Sequence, residues 1–214
     1  MLPDKLDDDG GKGHLETLVH GIFAITMTLL ILDLRLDEGR RAGELWPALQ
    51  DLAPQAVAYA YGFAYLLSNW LSVTDLFRVL RRVDKVVSLL VLIYVALLSL
   101  TPFLVSTVAA SVHNAHDLGV ATRLMAVVVG LGYVAPVLVN AYGVRRGYFK
   151  DVGFVWHGMS VPVLLGIACG PAVAAFVVSY LWAPLGLTLL TADTLVGLLL
   201  NTRRRPDEAS VGPG

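Results

Sequence analysis

Residues 15–36 read LETLVHGIFAITMTLLILDLRL, and this stretch decides the fold. Between residues 21 and 32 there is no charge, and only Thr26 and Thr28 interrupt the apolar run. At about 1.5 Å of rise per residue, one helix of this length crosses a hydrocarbon core of about 30 Å. Apolar side chains go all round it, unlike the single stripe of a surface helix. Two hydroxyls on such a helix suit one that lines a polar path.

The rest of the composition agrees. The chain has 214 residues, 56% hydrophobic and 15% charged, against about 25% charge in a soluble domain. Too few polar residues remain to cover a water-facing surface, so most of the exterior must meet lipid. The lone cysteine, Cys169, rules out an intrachain disulfide. The start, MLPDKLDDDGGKG, is acidic and glycine-rich and does not read as a cleaved signal peptide.

Hydropathy predicts an all-α polytopic fold with about six spans, near 15–36, 53–77, 86–110, 120–144, 155–179 and 181–202. Gly170, Pro171, Pro184 and Gly186 leave the cut between the last two open. The expected organisation is a disordered acidic tail (1–14), a six-helix membrane domain (15–202) and a basic disordered tail (203–214). An even span count puts both termini on one side. Twelve of the 16 Lys and Arg fall there: Lys5, Lys12, Arg78, Arg81, Arg82, Lys85, Arg145, Arg146, Lys150 and Arg203 to Arg205. Arg35, Arg40, Arg41 and Arg123 fall on the other. The positive-inside bias then makes both termini cytoplasmic. Basic clusters such as RVLRR, at the ends of apolar spans, read as topology signals touching anionic membrane lipid rather than as nucleic-acid sites.

The stretch LETLVHGIFAITMTLLILDL resembles the first helix of the transmembrane protein 175 family, endolysosomal potassium channels and their bacterial single-repeat relatives. The family pattern is an Arg, three residues, Phe-Ser-Asp, then a run like GVFAIAITLLVLEI. Here Gly21, Phe23, Ala24, Ile25, Thr28, Leu29, Leu30 and Leu32 match it, with Asp33 as its acidic residue. Trp70, Leu76 and Phe77, then Arg82, Val83 and Asp84, resemble a spaced W…L-F…R-V-D pattern. Leu100, Pro102 and Phe103 resemble S-L-x-P-F. The likeness covers roughly the first 110 residues. Departures are equally specific. Leu18, Val19 and His20 replace Phe-Ser-Asp, His14 replaces the Arg, and Val73 and Thr74 replace a His-His pair.

This resemblance implies a potassium-permeable channel subunit, a homotetramer, in a bacterial plasma membrane. Its pore would form where first helices of several copies meet, lined by Ile25, Leu29 and Leu32 with Thr28 beside them. The spacing i, i+4, i+7 places the three on one helical face. An apolar ring of that kind gates by excluding water. Such a stripe is otherwise ordinary packing, and a helical Thr commonly bonds back to its own carbonyls.

Ionisable residues inside spans are costly and read as functional by default. His20 and Asp75 fall at similar depth, which leaves two readings open: they pair, exchanging the acid and imidazole positions of the family, or each reaches the headgroups separately; with Trp70 and Asp193 they make up the candidate polar cluster. Asp193 sits about 15 Å of helix from Arg203, either paired within the bundle or in a span that begins later. His157 reads as interfacial. His113 and His116 lack a third ligand, and there is no nucleotide loop or nucleophile elbow, so neither metal, cofactor nor catalytic residue is expected. The rewritten polar cluster leaves an alternative, a non-conducting scaffold or sensor of the same family. A proton-coupled transporter resting on His20, Asp75 and Asp193 is a third reading, disfavoured because the two halves of the chain look unlike.

Overall fold

The computed structural model describes residues 6–35, 43, 45–149 and 161–203. Among these it is helical apart from turns and one isolated bridge between Leu80 and Phe149. An all-helical architecture satisfies every backbone group within its own rod, which lipid requires.

The first helix, α1 (Leu6–Leu29), runs into a 3-10 turn at Leu30–Asp33. It begins upstream of the expected boundary, so residues 6–14 extend the helix instead of forming a loose tail. The short α2 (Leu45–Asp51) carries Trp46, which is 70% exposed, and leads into α3 (Ala53–Val79). Pro54 stands in the first turn of α3, where a missing N–H costs nothing.

The third expected span is two helices, α4 (Lys85–Leu98) and α5 (Thr101–Ser111). The cause is Pro102, which cannot donate to the Leu98 carbonyl one turn back. The Thr101 hydroxyl takes over that carbonyl at 2.6 Å, and the Ser99 hydroxyl bonds Ala96 O at 2.7 Å.

The long α6 (Ala115–Arg146) starts five residues earlier than expected because Asn114 caps it. The Asn114 side-chain oxygen accepts from the backbone of His116 and Asp117 at 3.0 and 3.3 Å. At its far end Gly147 adopts φ +67°, the left-handed conformation that closes a helix. Pro136 interrupts its backbone ladder midway.

The last two helices are α7 (Val161–Val178) and α8 (Ala183–Arg203). Pro171 therefore lies inside a helix and Pro184 opens one, which fixes the cut that the sequence left open. A side chain at Gly186 would meet the Ala175 carbonyl oxygen at 2.8 Å, so α7 and α8 touch backbone to backbone there. His157 and the start of the expected fifth span lie outside the described residues, as does the tail beyond 203.

Three helical segments, Gly11–Leu32, Lys85–Ser111 and Ala115–Arg146, are long and apolar enough to cross a membrane. Pro162–Val178 and Ala183–Leu199 are shorter apolar helices. α3 has the length but carries Ser68, Asn69, Thr74 and Asp75. In the packing, α6 contacts α4, α5, α7 and α8, while α3 contacts α5 and α8. α1 lies against α3, α4 and α5.

Candidate pore-facing helix and intramembrane cavity

α1 has two unlike faces. Leu15, Val19, Phe23, Thr26 and Leu30 are buried against the bundle. The hydroxyl of Thr26 is satisfied within the helix, donating to Ile22 O at 2.8 Å. The opposite face is uncovered: Ile25 is 61% exposed, Leu32 52% and Leu29 44%. Thr17, Gly21, Ala24 and Thr28 lie exposed along the same side. The residues expected to face a pore thus share the face that no other part of the described chain covers. Thr28 donates its hydroxyl to Ile25 O at 2.8 Å, which still leaves the oxygen's lone pairs free to accept.

Of the two readings for His20 and Asp75, the direct pair does not form. Asp75 instead faces Arg78 one turn along its own helix, at 3.6 Å. A carboxylate and a guanidinium at i, i+3 meet on one helix face with little loss of freedom. His20 lies against Trp70, ring centroids 6.0 Å apart and tilted by 52°. Its Nε2 is buried and has no hydrogen-bond partner among the described residues. Of the four residues assigned to one polar cluster, then, only His20 and Trp70 touch.

Asp193 and Asp75 belong to a different feature, a partly open cavity of about 330 Å³ lined by residues of α3, α4, α6, α7 and α8. α8 begins at Ala183, two residues after the expected start of the sixth span, so Asp193 lies deep along the helix. The Tyr133 hydroxyl donates to its Oδ2 at 2.8 Å. Asn69 stands nearby, accepting from Tyr94 at 2.6 Å and donating to Tyr65 O at 2.7 Å. Leu90, Val91, Leu164 and Ile167 supply apolar wall. Tyr133, Tyr94 and Asn69 were missed in the sequence, because only the fold brings α3, α4 and α6 to one depth.

Asp84 was matched to a pattern without a role, and the structure supplies one. Its Oδ1 accepts Val87 N at 2.9 Å, capping α4. Its Oδ2 accepts Tyr142 and Tyr148 hydroxyls at 2.6 and 3.2 Å. Arg81 N donates to Tyr148 O at 2.6 Å, and Lys12 Nζ donates to Leu80 O at 2.7 Å. One carboxylate thus ties the 80–84 turn to the end of α6, with α1 held alongside. Desolvation pushes the Asp84 pKa up. The hydrogen bonds, led by Tyr142, outweigh it and hold the carboxyl below its ordinary value.

A family model described as the endosomal/lysosomal potassium channel TMEM175 matches residues 14–102. Over this segment, less than half of the chain, the protein is similar to the TMEM175 family. It is 32% identical over 92 residues to a potassium channel of Streptomyces collinus, covering 43% of this chain and 45% of that protein. A potassium channel of a Chryseobacterium species is 33% identical over 73 residues, 34% of this chain and 36% of that protein. The aligned parts are thus less than half of either relative. The crystal structure of a lysosomal potassium-selective channel TMEM175 homolog from Chamaesiphon minutus matches with a TM-score of 0.74. That match covers 90% of this chain and 98% of the other at 18% identity, so it carries the fold, including the helices beyond residue 102. The apolar helices and this similarity together make the protein an integral membrane protein.

Proposed function

We propose that the protein is a subunit of a potassium-permeable channel, with a pore formed where α1 helices of several copies, four by the family resemblance, meet. The supporting observation is the two-faced α1. Its buried face is fully used within the subunit. Its uncovered face combines small residues, Thr17, Gly21, Ala24 and Thr28, with the apolar Ile25, Leu29 and Leu32. Small residues let helices approach closely in lipid, where apolar burial gives no drive of its own. Copies joined through this face would put Ile25, Leu29 and Leu32 around a narrow apolar path, a dewetting constriction for potassium. Six helical rods (α1; α3; α4 with α5; α6; α7; α8) then cross the membrane, most of it a bacterial plasma membrane's lipid, with both termini cytoplasmic.

Potassium flux from liposomes carrying purified protein tests this. Ile25→Asn should raise cation leak several-fold, because a polar ring wets the constriction, while Phe23→Asn, on the buried face, should mainly reduce folded protein. Unchanged flux in well-folded Ile25→Asn protein removes the pore assignment. The unpartnered His20, standing where the family has an acid, favours a second reading, a non-conducting member acting as scaffold or sensor. That reading predicts no flux in the unmodified protein under any condition, together with normal assembly.

A further inference from the structure

The cavity inside the helix bundle is separate from the uncovered face of α1, and α1 contributes nothing to its walls. Its volume of about 330 Å³ falls within the range of small-molecule sites, roughly 300–1,000 Å³. Its chemistry is one-sided. Two carboxylates line it, and among the described residues no Lys, Arg or His does. Asp75 is already matched by Arg78. Asp193 is not matched by any cation among the described residues, and its sole hydrogen bond there is the one from Tyr133 to Oδ2. Its Oδ1 is left as an acceptor in a site walled largely by apolar groups. Around it stand Tyr65, Tyr94 and Tyr133, whose ring faces attract cations. The Tyr94 hydroxyl is committed to Asn69, which fixes that ring in place.

A single carboxylate with a spare oxygen, aromatic faces and apolar walls suits one kind of guest. A small inorganic cation would need several oxygens converging at about 2.3–2.6 Å or a little more, and this volume is too wide for that. An anion would meet the Asp193 charge. A neutral apolar molecule would leave the carboxylate uncompensated. We propose that the cavity binds a hydrophobic amine, an ammonium group on an apolar body, with the ammonium on Asp193 Oδ1 and the body against Leu90, Val91, Leu164 and Ile167. The site lies within one subunit and does not depend on whether α1 forms a pore.

The test is calorimetric titration of the purified protein in micelles with phenethylammonium, against 2-phenylethanol as the neutral analogue and protein-free micelles as the partitioning control. Unmodified protein should bind phenethylammonium saturably, one per chain, and at least about tenfold more tightly than the alcohol, as a charge-assisted bond implies. Asp193→Asn keeps an acceptor for Tyr133 and removes the charge, and should weaken amine binding about tenfold or more while leaving the alcohol unchanged. If that variant does not fold, Ala168→Leu narrows the cavity with the charge intact and should weaken both ligands. Ile25→Asn, on the outer face, should leave amine binding intact. Heat indistinguishable from protein-free micelles overturns the proposal. So does amine binding that survives both cavity variants, or that disappears in Ile25→Asn, since the last would place the amine at α1. Loss of flux without loss of amine binding would count against the channel reading alone.

Discussion

Removing the Asp84 carboxylate should loosen the end of the bundle where three elements meet. In Asp84→Ala the first turn of α4 loses the acceptor for Val87 N at 2.9 Å. Loss of a side-chain N-cap alone costs about 1 kcal/mol. Tyr142 and Tyr148 lose their shared acceptor as well, and this half-exposed setting, screened by solvent, adds to the loss without dominating it. The expected total is about 1–2 kcal/mol. For a chain of this size each kcal/mol lowers the melting midpoint by roughly 2–4 °C. Asp84→Asn keeps the cap oxygen but gives up the charge and the acceptor for the two tyrosine hydroxyls, so it should fall between the two. The pH dependence follows from the lowered pKa of the folded state. A depressed carboxyl stabilises the fold above its unfolded value of about 3.9, and that stability is lost as pH falls through the folded value. The gap between the unmodified protein and Asp84→Asn should therefore be full at pH 7 and close below about pH 4. Melting scans in detergent across that range measure it. Asp84→Ala melting with the unmodified protein, or a gap that persists undiminished into acid, would refute the clamp.

Two further expectations complement the flux and titration experiments. Reporter fusions after Arg205 and within residues 37–52 should report opposite sides of the membrane, with the first cytoplasmic; a shared side would break the six-crossing topology. Because Asp75 faces Arg78 while His20 faces Trp70, the stability losses of His20→Ala and Asp75→Ala should add in the double variant to within about 0.5 kcal/mol. A coupling larger than that would restore the direct pair that the geometry argues against.

The helical architecture was legible because long apolar runs leave few alternatives in lipid. Boundaries were less so, and each deviation has a local cause. Asn114 is a short polar residue that hydropathy treats as loop, yet its side chain starts α6 early. Pro102 lies within a continuous apolar run, and window averages do not register a missing N–H. The uncovered face of α1 followed from the spacing of Ile25, Leu29 and Leu32, since helical periodicity is a property of sequence. Which residues of α3 meet which of α8 is not. Depth matching alone suggested His20 with Asp75, but azimuth around each helix decides contact, and Asp75 turns toward Arg78 and the cavity. Asp193 was correctly singled out by its rarity in an apolar run, whereas its partner Tyr133, 60 residues away, became visible only once α6 and α8 lay side by side.

Pro136 has a consequence for solvent inside the bundle. It withholds an N–H from the Gly132 carbonyl, and it lines the cavity that contains Asp193. A carbonyl stranded in hydrocarbon costs several kcal/mol, and such breaks survive in membrane helices where protein or water can serve them. The broken rung of α6 therefore opens onto a space with hydroxyls, an amide and a carboxylate around it, a region able to hydrate a backbone at that depth. The proline and the polar walls need each other: a dry, apolar cavity would make the interruption expensive, and an unbroken α6 would leave the cavity one acceptor fewer.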